Sequence, residues 1–265
     1  MSEKGDIRVG IGGWTFEPWR GLFFPDGLAQ SKELEYASRQ MTAIEVNGTY
    51  YGSMKPASFI KWRQETPDDF VFSLKAPRFA TNRKVLAESG PSIEKFFESG
   101  PAELGPKLGP ILWQFMPTKK FEPDDFAAFL DLLPAACGSL KLRHAIEVRH
   151  ESFLTPDFIA LARNANAAVV FADTPKYPQI ADLTGDFVYA RLQDAKAEIE
   201  TGYDDKALDR WAEVAKTWAA GAAPEGLAYV AEPKPAAAKR DVFVFMINGA
   251  KERAPAAAKA LIGRL

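Results

Sequence analysis

The sequence predicts a single α/β domain, a (β/α)8 TIM-like barrel, and three observations favour this fold. Short apolar segments rich in β-branched and aromatic residues alternate with longer amphipathic segments along the chain. Eight of the short segments fit into 265 residues, and a barrel of this kind needs about 250 residues. No break in composition marks a linker, so residues 1–265 are predicted to form one domain.

The predicted elements follow in an order that gives a parallel sheet, because a helix can connect almost every pair of strands. Helix starts are indicated at Glu122-Pro123 and Thr155-Pro156, since the first turn of a helix tolerates proline. The predicted strands are residues 7–12, 42–47, 70–75, 110–115, 145–149, 168–173, 187–192 and 242–248. The predicted helices are residues 31–40, 57–65, 92–104, 123–133, 156–165, 206–219 and 254–262.

Two segments fit this scheme poorly. Only TPKYPQIADLTGD, residues 174–186, separates strands six and seven, so the helix there is expected to be short or missing. Before the last strand, residues 226–241 read GLAYVAEPKPAAAKRD. We expect this segment to add a strand followed by a Pro/Ala-rich loop.

Composition excludes several classes of function. The net charge of −2 gives no overall basic field for nucleic acid or anionic lipid, although a local basic groove stays open. Cys137 is the single cysteine, which fits a reducing compartment, and its position between a predicted helix and strand does not indicate a catalytic thiol. The start of the chain lacks a signal peptide's apolar stretch, and no segment has the ~20 apolar residues of a membrane span. A cytoplasmic location without membrane partners is therefore expected.

Polar residues cluster where the predicted strands end. Side chains two residues apart share one face of a strand, so Glu45 and Asn47 point together, as do Glu147 and Arg149. The carboxyl ends of barrel strands are where active sites form. The convergent set is Glu45, Asn47, Lys75, Gln114, Glu147, Arg149, Asp173, Arg191 and Asn248.

This set has two interpretations. The charges can form a buried ion-pair layer that closes the barrel, since buried charges need partners. The alternative, which we favour, is a ligand site in which Lys75, Arg149 and Arg191 bind the anionic part of a small molecule. The catalytic candidates are then Glu45, Glu147 and Asp173, with one of the two glutamates as the general acid or base. Neutral groups would be oriented by Asn47, Gln114 and Asn248.

These motifs resemble the YecE-like family, catalogued as domain of unknown function 72. The resemblance rests on ordered motifs over nearly the whole chain: GIGGWTFEPWRGLFFP, YASRQMTAIEVNGTYYGSMKPASFIKW, TPDDFVFSLKAPRFAT, LGPILWQFMP, AIEVRHESF, VYARL and VFVFMIN. It implies a TIM barrel with a polar pocket and no established activity. The family usually has histidine at the positions of Asn82 and Gln193, and asparagine at Gly249, while residues 233–240 resemble an insertion.

The first strand ends in a glycine-rich loop, Gly10-Ile11-Gly12-Gly13-Trp14-Thr15. Two prolines and several aromatic residues follow it, so no helix begins there, which disfavours a dinucleotide site. We expect tight turns that place Trp14, Phe16 and Trp19 on a pocket rim, in a packed cap over the barrel, or in both.

Metal and cofactor chemistry is not indicated. The two histidines, His144 and His150, lie an odd number of residues from Glu147 along the strand. Their side chains are therefore expected on the opposite face, pointing away from the barrel axis. Mg²⁺ bound by Glu45, Glu147 and Asp173 stays an alternative because hard cations prefer carboxylates. No redox cofactor is expected. A Schiff base at Lys75 is less favourable than a role in which its ammonium donates hydrogen bonds to an anionic ligand, because neighbouring carboxylates are expected to keep the lysine charged.

The leading hypothesis is an enzyme acting on a small polar or anionic substrate at the carboxyl ends of the strands. Tyr50 or Tyr51 is expected to face the pocket. The alternative is a non-catalytic protein that binds nucleic acid or a nucleotide-like metabolite. In that case an aromatic rim of Trp14, Trp19 and Tyr51 would continue into a basic loop containing Arg78, Arg83 and Lys84.

Overall fold

Eight parallel strands form one continuous sheet in the computed structural model, which describes residues 5–232 and 238–265. Neighbours in the sheet are neighbours in the chain, as in a barrel of repeated strand–helix units. The strands are β1 (Ile7–Gly12), β2 (Ala43–Val46), β3 (Val71–Lys75), β4 (Leu108–Gln114), β5 (His144–Glu147), β6 (Ala168–Val169 and Phe171–Asp173), β7 (Phe187–Leu192) and β8 (Asp241–Met246).

The sheet closes on itself through β6. Its first part, Ala168–Val169, pairs with β5, and its second part, Phe171–Asp173, pairs with β7. The residue between them, Val170, donates its backbone N–H to the carbonyl of Ile146 at 2.9 Å. Both ends of the sheet therefore belong to one stretch of chain, and the predicted (β/α)8 barrel is confirmed.

The helices lie between the strands at nearly the predicted places. They are α1 (Glu33–Ala37), α2 (Gly48–Tyr51), α3 (Pro56–Glu65), α4 (Arg78–Thr81), α5 (Gly90–Glu98), α6 (Pro123–Asp131), α7 (Pro156–Asn164), α8 (Asp205–Ala219) and α9 (Ala254–Ile262). Residues 174–186, between β6 and β7, contain no helix, as expected. None of the helices in the described residues is long and apolar enough to cross a membrane.

One predicted helix is wrong in extent. Residues 92–104 were expected to form a single helix, but α5 ends at Glu98 and a 3-10 helix, Pro101–Lys107, follows. Gly100 between them has φ +104°, a left-handed conformation that stops a helix. A Cβ at this glycine would lie 2.9 Å from the Cα of Pro56, so a side chain does not fit there.

The extra strand expected within residues 226–241 is not found among the described residues 226–232 and 238–240. The Asp182 carboxylate instead accepts the backbone N–H groups of Val230 at 2.7 Å and Ala231 at 3.0 Å. These bonds fix an irregular loop in which no neighbouring strand is needed to satisfy the backbone. Residues 233–237, part of the proposed insertion, lie outside the described residues.

Two apolar cores lie on the two sides of the sheet. The larger fills the space between the strands and the surrounding helices. The smaller fills the barrel interior and includes Phe187, Tyr189, Phe243 and Phe245. At the amino-terminal end the guanidinium of Arg143 lies 5.0 Å from the Phe243 ring centre. Side chains therefore fill the barrel interior from its amino-terminal end, and the open space lies at the carboxyl ends of the strands.

Candidate functional site

A buried ion-pair layer lies on top of the barrel core. Arg191 on β7 donates from Nε and Nη2 to the two carboxylate oxygens of Glu45, both at 3.0 Å. Its third nitrogen, Nη1, donates to Glu147 Oε2 at 2.6 Å. All three residues are at most 2% exposed. Arg191 thus joins β2 to β5 across the barrel axis, and all of its nitrogens are engaged.

Further donors complete this layer. Glu147 Oε1 accepts from Nε of Arg149 at 2.8 Å, and Glu147 Oε2 also accepts from Gln114 at 2.8 Å. The hydroxyl of Tyr189, one layer below, donates to Glu45 Oε2 at 2.8 Å. Each carboxylate therefore has at least three donors. Hydrogen bonds and ion pairs of this kind offset the cost of burying a carboxylate.

The pKa shifts of Glu147 and Arg191 favour the charged form of each group. Burial alone would raise the pKa of Glu147, but the guanidinium groups of Arg191 and Arg149 outweigh it and lower that pKa to about 2. For Arg191, burial acts to lower the pKa, whereas the charges of Glu147 and Glu45 raise it above the ordinary value. Neither Glu147 nor Arg191 exchanges a proton near neutral pH in this arrangement.

A cavity of about 560 Å³ opens above the layer at the carboxyl ends of the strands. Four cationic side chains line it: Lys75, Arg149, Arg191 and Lys251. No aspartate or glutamate is among its lining residues within the described parts of the chain. Glu45 and Glu147 lie beneath the floor, so the charge that meets a ligand is positive.

Lys75 is the last residue of β3 and is only 8% exposed. Its Nζ lies 4.2 Å from the ring centre of Tyr50, and it forms no ion pair with any described residue. Burial, with a further effect of Arg191, lowers the pKa of Lys75 to about 8 although Glu45 and Glu147 act to raise it. The nearby carboxylates raise the pKa of Lys75, as expected, but burial and Arg191 outweigh them, so the lysine is mostly charged at pH 7 with a pKa below its ordinary value.

Two contacts hold the guanidinium of Arg149 at the cavity wall, one with Glu147 and one with the loop after β6. Its Nε and Nη2 both contact Glu147 Oε1 at 2.8 Å, which leaves Nη1 available for a ligand. The guanidinium carbon lies 4.5 Å from the ring centre of Tyr177. This stacking and the ion pair hold the guanidinium in one orientation at the cavity wall.

The glycine-rich loop and its aromatic residues both line and cap the cavity, as the sequence allowed. Gly13 has φ +76°, and the turn there brings Trp14 onto the wall, where its ring meets Trp62 edge-on at 5.2 Å. Trp19 is fully buried and donates Nε1–H to the carbonyl of Lys251 at 2.9 Å. Trp14 therefore shapes the wall, while Trp19 ties the loop after β1 to the loop after β8.

Most of the remaining site residues expected from the sequence line the same cavity. Asn47, Gln114 and Asn248 are on its wall. Asn248 adopts φ +63° and donates from Nδ2 to Gln193 Oε1 at 3.2 Å. Tyr51 lies on the rim and is 65% exposed.

Asp173 does not belong to this group, and its expected place in the site is wrong. In the pairing of β6 with β7 it lies beside Leu192, which packs in the outer core, whereas Ala172 lies beside the inward-facing Arg191. Burial and then the neighbouring Asp194 raise the pKa of Asp173 to about 6. Strand phase, not position at a strand end, decides which side chain enters a barrel.

The three carboxylates considered for Mg²⁺ therefore do not meet. Glu45 and Glu147 bind arginines, and Asp173 lies on the other face of the sheet. The phase expected for the histidines is confirmed for His144, which accepts from Trp113 Nε1 at 3.0 Å in the outer core. His150 caps a short 3-10 helix by accepting from the backbone N–H of Ser152.

Sequence reasoning missed several lining residues. Lys251 comes from a 3-10 helix after β8, Met54 from the loop after α2, and Trp62 from α3. None ends a strand, so the strand-end pattern could not find them. The position of Lys251 a few residues beyond β8 was the available signal, because loops at this end of a barrel commonly carry site residues.

Comparisons with known proteins agree with this architecture. The sequence matches the family described as "Protein of unknown function DUF72" over residues 8–265. The chain belongs to the DUF72 family. A crystal structure of a DUF72 family protein from Thermotoga maritima superimposes with a TM-score of 0.71, at 23% identity, covering 97% of each chain. At that identity the similarity concerns the fold.

Two curated relatives match part of this DUF72 chain. The UPF0759 protein YecE of Escherichia coli strain K12 is 29% identical over 150 residues, which is 56% of this chain and 50% of YecE. The UPF0759 protein YunF of Bacillus subtilis strain 168 is 26% identical over 157 residues, or 57% of this chain and 54% of YunF. The matched part spans about half the length of each relative.

The structure shows the surroundings of the three residues that the sequence comparison with the family's motifs singled out. Gln193 accepts the hydrogen bond of Asn248 described above, so the two form a pair at the cavity edge. Gly249 has φ +60°, and a Cβ there would lie 2.8 Å from the backbone nitrogen of Ala195. Only glycine fits that turn without a shift of the backbone. Asn82 ends α4 and is exposed.

Proposed function

We propose that this protein is an enzyme that acts on a small anionic molecule in the cavity at the carboxyl ends of the strands. One observation carries the proposal: four cationic side chains line the cavity, and none of its described lining residues is acidic. The volume of about 560 Å³ suits a small molecule. Arg149 and Arg191 balance Glu147 and Glu45, so the charges without a described carboxylate partner are those of Lys75 and Lys251, and they favour an anion over neutral or cationic compounds.

The available donors define how the anion would bind. Arg149 offers Nη1, and Lys75 offers its amine, because neither group is used up in the ion-pair layer. Lys251 supplies a further charge from the loop after β8. Asn47, Gln114 and Asn248 would orient neutral groups of the same molecule.

The two glutamates then position the arginines and do not act as the general acid or base considered from the sequence. The low pKa of Glu147 argues against proton transfer by this carboxylate near neutral pH. Lys75, with its pKa of about 8, is the cavity side chain suited to that task. Asp173 has no part in this proposal because it lies outside the cavity.

The proposal can be tested with pairs of compounds that differ only in charge. Thermal unfolding would be followed with glycerol 3-phosphate against glycerol, and with glycolate against ethylene glycol. We expect only the anionic member of each pair to raise the melting temperature. The shift should shrink in Lys251→Gln and stay in Lys259→Gln, which removes an exposed charge from α9. Equal shifts within each pair would contradict the proposal.

A second candidate function has one observation of its own. Two exposed aromatic side chains, Tyr51 at the cavity rim and Phe79 on α4, have ring centres 6.0 Å and 5.4 Å from the guanidinium carbon of Arg78. Such a rim can stack nucleobases. Binding of a short single-stranded oligonucleotide that is lost in Tyr51→Ala, with no shift by any small anion, would favour a non-catalytic nucleic-acid-binding protein.

A further inference from the structure

The amine of Lys75 lies at the floor of the cavity in an unusual position. Most of its stem is enclosed at the end of β3, and the side chain reaches the cavity with its Nζ over the Tyr50 ring. Lys107 provides a contrast within the same protein. It is also buried, but its Nζ donates to the carbonyls of Arg63 at 2.6 Å and Thr66 at 2.7 Å, so its ammonium is satisfied.

Burial lowers the pKa of Lys75 most, and the charged groups around its amine act in both directions. Two guanidinium groups, those of Arg191 and Arg149, lie on its cavity side, and the carboxylates of Glu45 and Glu147 are bonded to them. Among the described residues, the amine also contacts the π face of the Tyr50 ring. A lysine with a pKa of about 8 has about a tenth of its amine unprotonated at pH 7. That fraction is large enough for nucleophilic attack.

From this geometry we propose that Lys75 forms an imine with the substrate, and that the substrate carries an aldehyde or ketone beside a carboxylate or phosphate. The inference rests on the proposed function, because Arg149 would hold the anionic group while Lys75 reaches the neighbouring carbonyl. It narrows the substrate class from small anions to small anionic carbonyl compounds.

The covalent step needs no other reactant. The Nζ lone pair forms a bond to the carbonyl carbon, and the C=O π electrons move to oxygen, which takes up a proton. The proton lost from nitrogen and the hydroxyl of this carbinolamine leave as water, and a C=N bond forms. Protonation of the imine nitrogen then draws electrons from the adjacent carbon, which activates a C–H or C–C bond there.

The test is reductive trapping. Purified protein would be incubated with glyoxylate or pyruvate and sodium cyanoborohydride, which reduces an imine to a stable secondary amine. Intact mass would give the number of adducts, and peptide mapping would locate them. We expect one adduct, on Lys75, formed at least tenfold faster than on any other lysine. Lys107 in the same sample is the buried control and should stay unmodified.

Two variants, the pH dependence of the rate and a carbonyl compound without an anionic group test whether the adduct forms at Lys75 as proposed. Lys75→Arg keeps the charge and should lose the adduct, whereas Lys259→Arg on the surface should keep it. The rate of imine formation should rise through pH 8 and level off above about pH 9, as Lys75 loses its proton. Acetaldehyde, a carbonyl without an anionic group, should be trapped at least tenfold more slowly.

Two results would overturn the inference in different ways. If glyoxylate raises the melting temperature but cyanoborohydride leaves Lys75 unmodified, imine formation is wrong and the anion site stands. If glyoxylate neither binds nor reacts, both this inference and the proposed function fail. Peptide mapping of the wild-type chain decides the matter even if Lys75→Arg does not fold.

Discussion

Arg191 is the residue on which the charge balance of the site depends. It bonds Glu45 with two nitrogens and Glu147 with the third, and together with Arg149 it neutralises the carboxylates that would otherwise pair with Lys75. Removing charged groups from water is costly unless geometry and hydrogen bonds are complete. The arrangement meets that condition, so the layer is structural and the cavity above it keeps free cations.

The variant Glu147→Gln tests how much the ion-pair layer contributes to the free energy of unfolding. The folded pKa of Glu147, about 2, lies below its ordinary value of 4.5, so its stabilisation is complete above about pH 4.5 and is lost as pH falls toward 2. We expect Glu147→Gln to lower the free energy of unfolding by about 3 kcal/mol at pH 7. The difference should narrow as the pH is lowered from 4.5 to 3. Urea unfolding at each pH measures it.

The matched control for this experiment is Glu94→Gln, which changes an exposed glutamate on α5. Its unfolding free energy should follow that of the wild type at every pH. Parallel pH profiles for the wild type and Glu147→Gln would show that Glu147 has an ordinary pKa and is not held by Arg191 and Arg149.

Asp173 is expected to behave in the opposite way. Burial and Asp194 raise its pKa to about 6 from the ordinary 3.8, so ionisation destabilises the fold progressively as pH rises between these values. Asp173→Asn removes that cost. Because the site is partly solvated, we expect a melting temperature roughly 2–4 °C higher at pH 8.

The difference between Asp173→Asn and the wild type should disappear near pH 4, where the wild-type carboxyl group is neutral. Differential scanning fluorimetry across this range measures it, with Asp131→Asn on the surface of α6 as the control. A lower melting temperature for Asp173→Asn at pH 8 would mean that the carboxylate has a stabilising partner.

At the scale of elements, β1 shows how closely neighbouring strands of the barrel approach one another. A Cβ at Gly10 would lie 1.9 Å from the carbonyl oxygen of Ala43, which is inside the backbone of β2. Gly27 also has a positive φ, +75°, but nothing lies within 4 Å of its missing Cβ. One glycine is therefore required by packing and the other only by backbone conformation.

We expect Gly10→Ala to separate β1 from β2 and to lower the free energy of unfolding by more than 3 kcal/mol or prevent folding. Gly27→Ala should lower the free energy of unfolding by only about 1–2 kcal/mol, because an alanine in the left-handed conformation is strained by about that amount. Guanidinium unfolding of both variants compares them directly. Equal effects would show that the contact of β1 with β2 is looser than the structure describes.

Elements also show where sequence reasoning succeeds. Inward and outward residues alternate in β2 and β5, so the inward positions of Glu45 and Glu147 were predictable. Asn47 and Arg149 lie just beyond these strands and line the cavity above them. In β6 the strand divides at Val170, and its register with β7 turns Asp173 outward. The one-turn helix α4 (Arg78–Thr81) leaves no periodicity long enough to detect.

For the whole molecule, the number of strands and their order could be predicted because a parallel barrel repeats one local unit. The pairing of charges could not, since it depends on distances across the barrel between β2, β5 and β7. Sequence alone allowed an ion-pair plug or a ligand site. The structure shows an ion-pair layer through Arg191 and, above it, a cavity lined by Arg149 and Lys75, and the binding of a ligand in that cavity is our proposal.

The most direct test of this account is the affinity for inorganic phosphate, measured by isothermal titration calorimetry in three proteins. The wild type should bind phosphate, and Arg149→Gln should weaken binding at least tenfold, or about 1.4 kcal/mol. Arg39→Gln, which removes an exposed charge near the end of α1, should bind like the wild type. Absence of binding to the wild type, or equal affinity in Arg149→Gln, would contradict a cavity built to hold an anion.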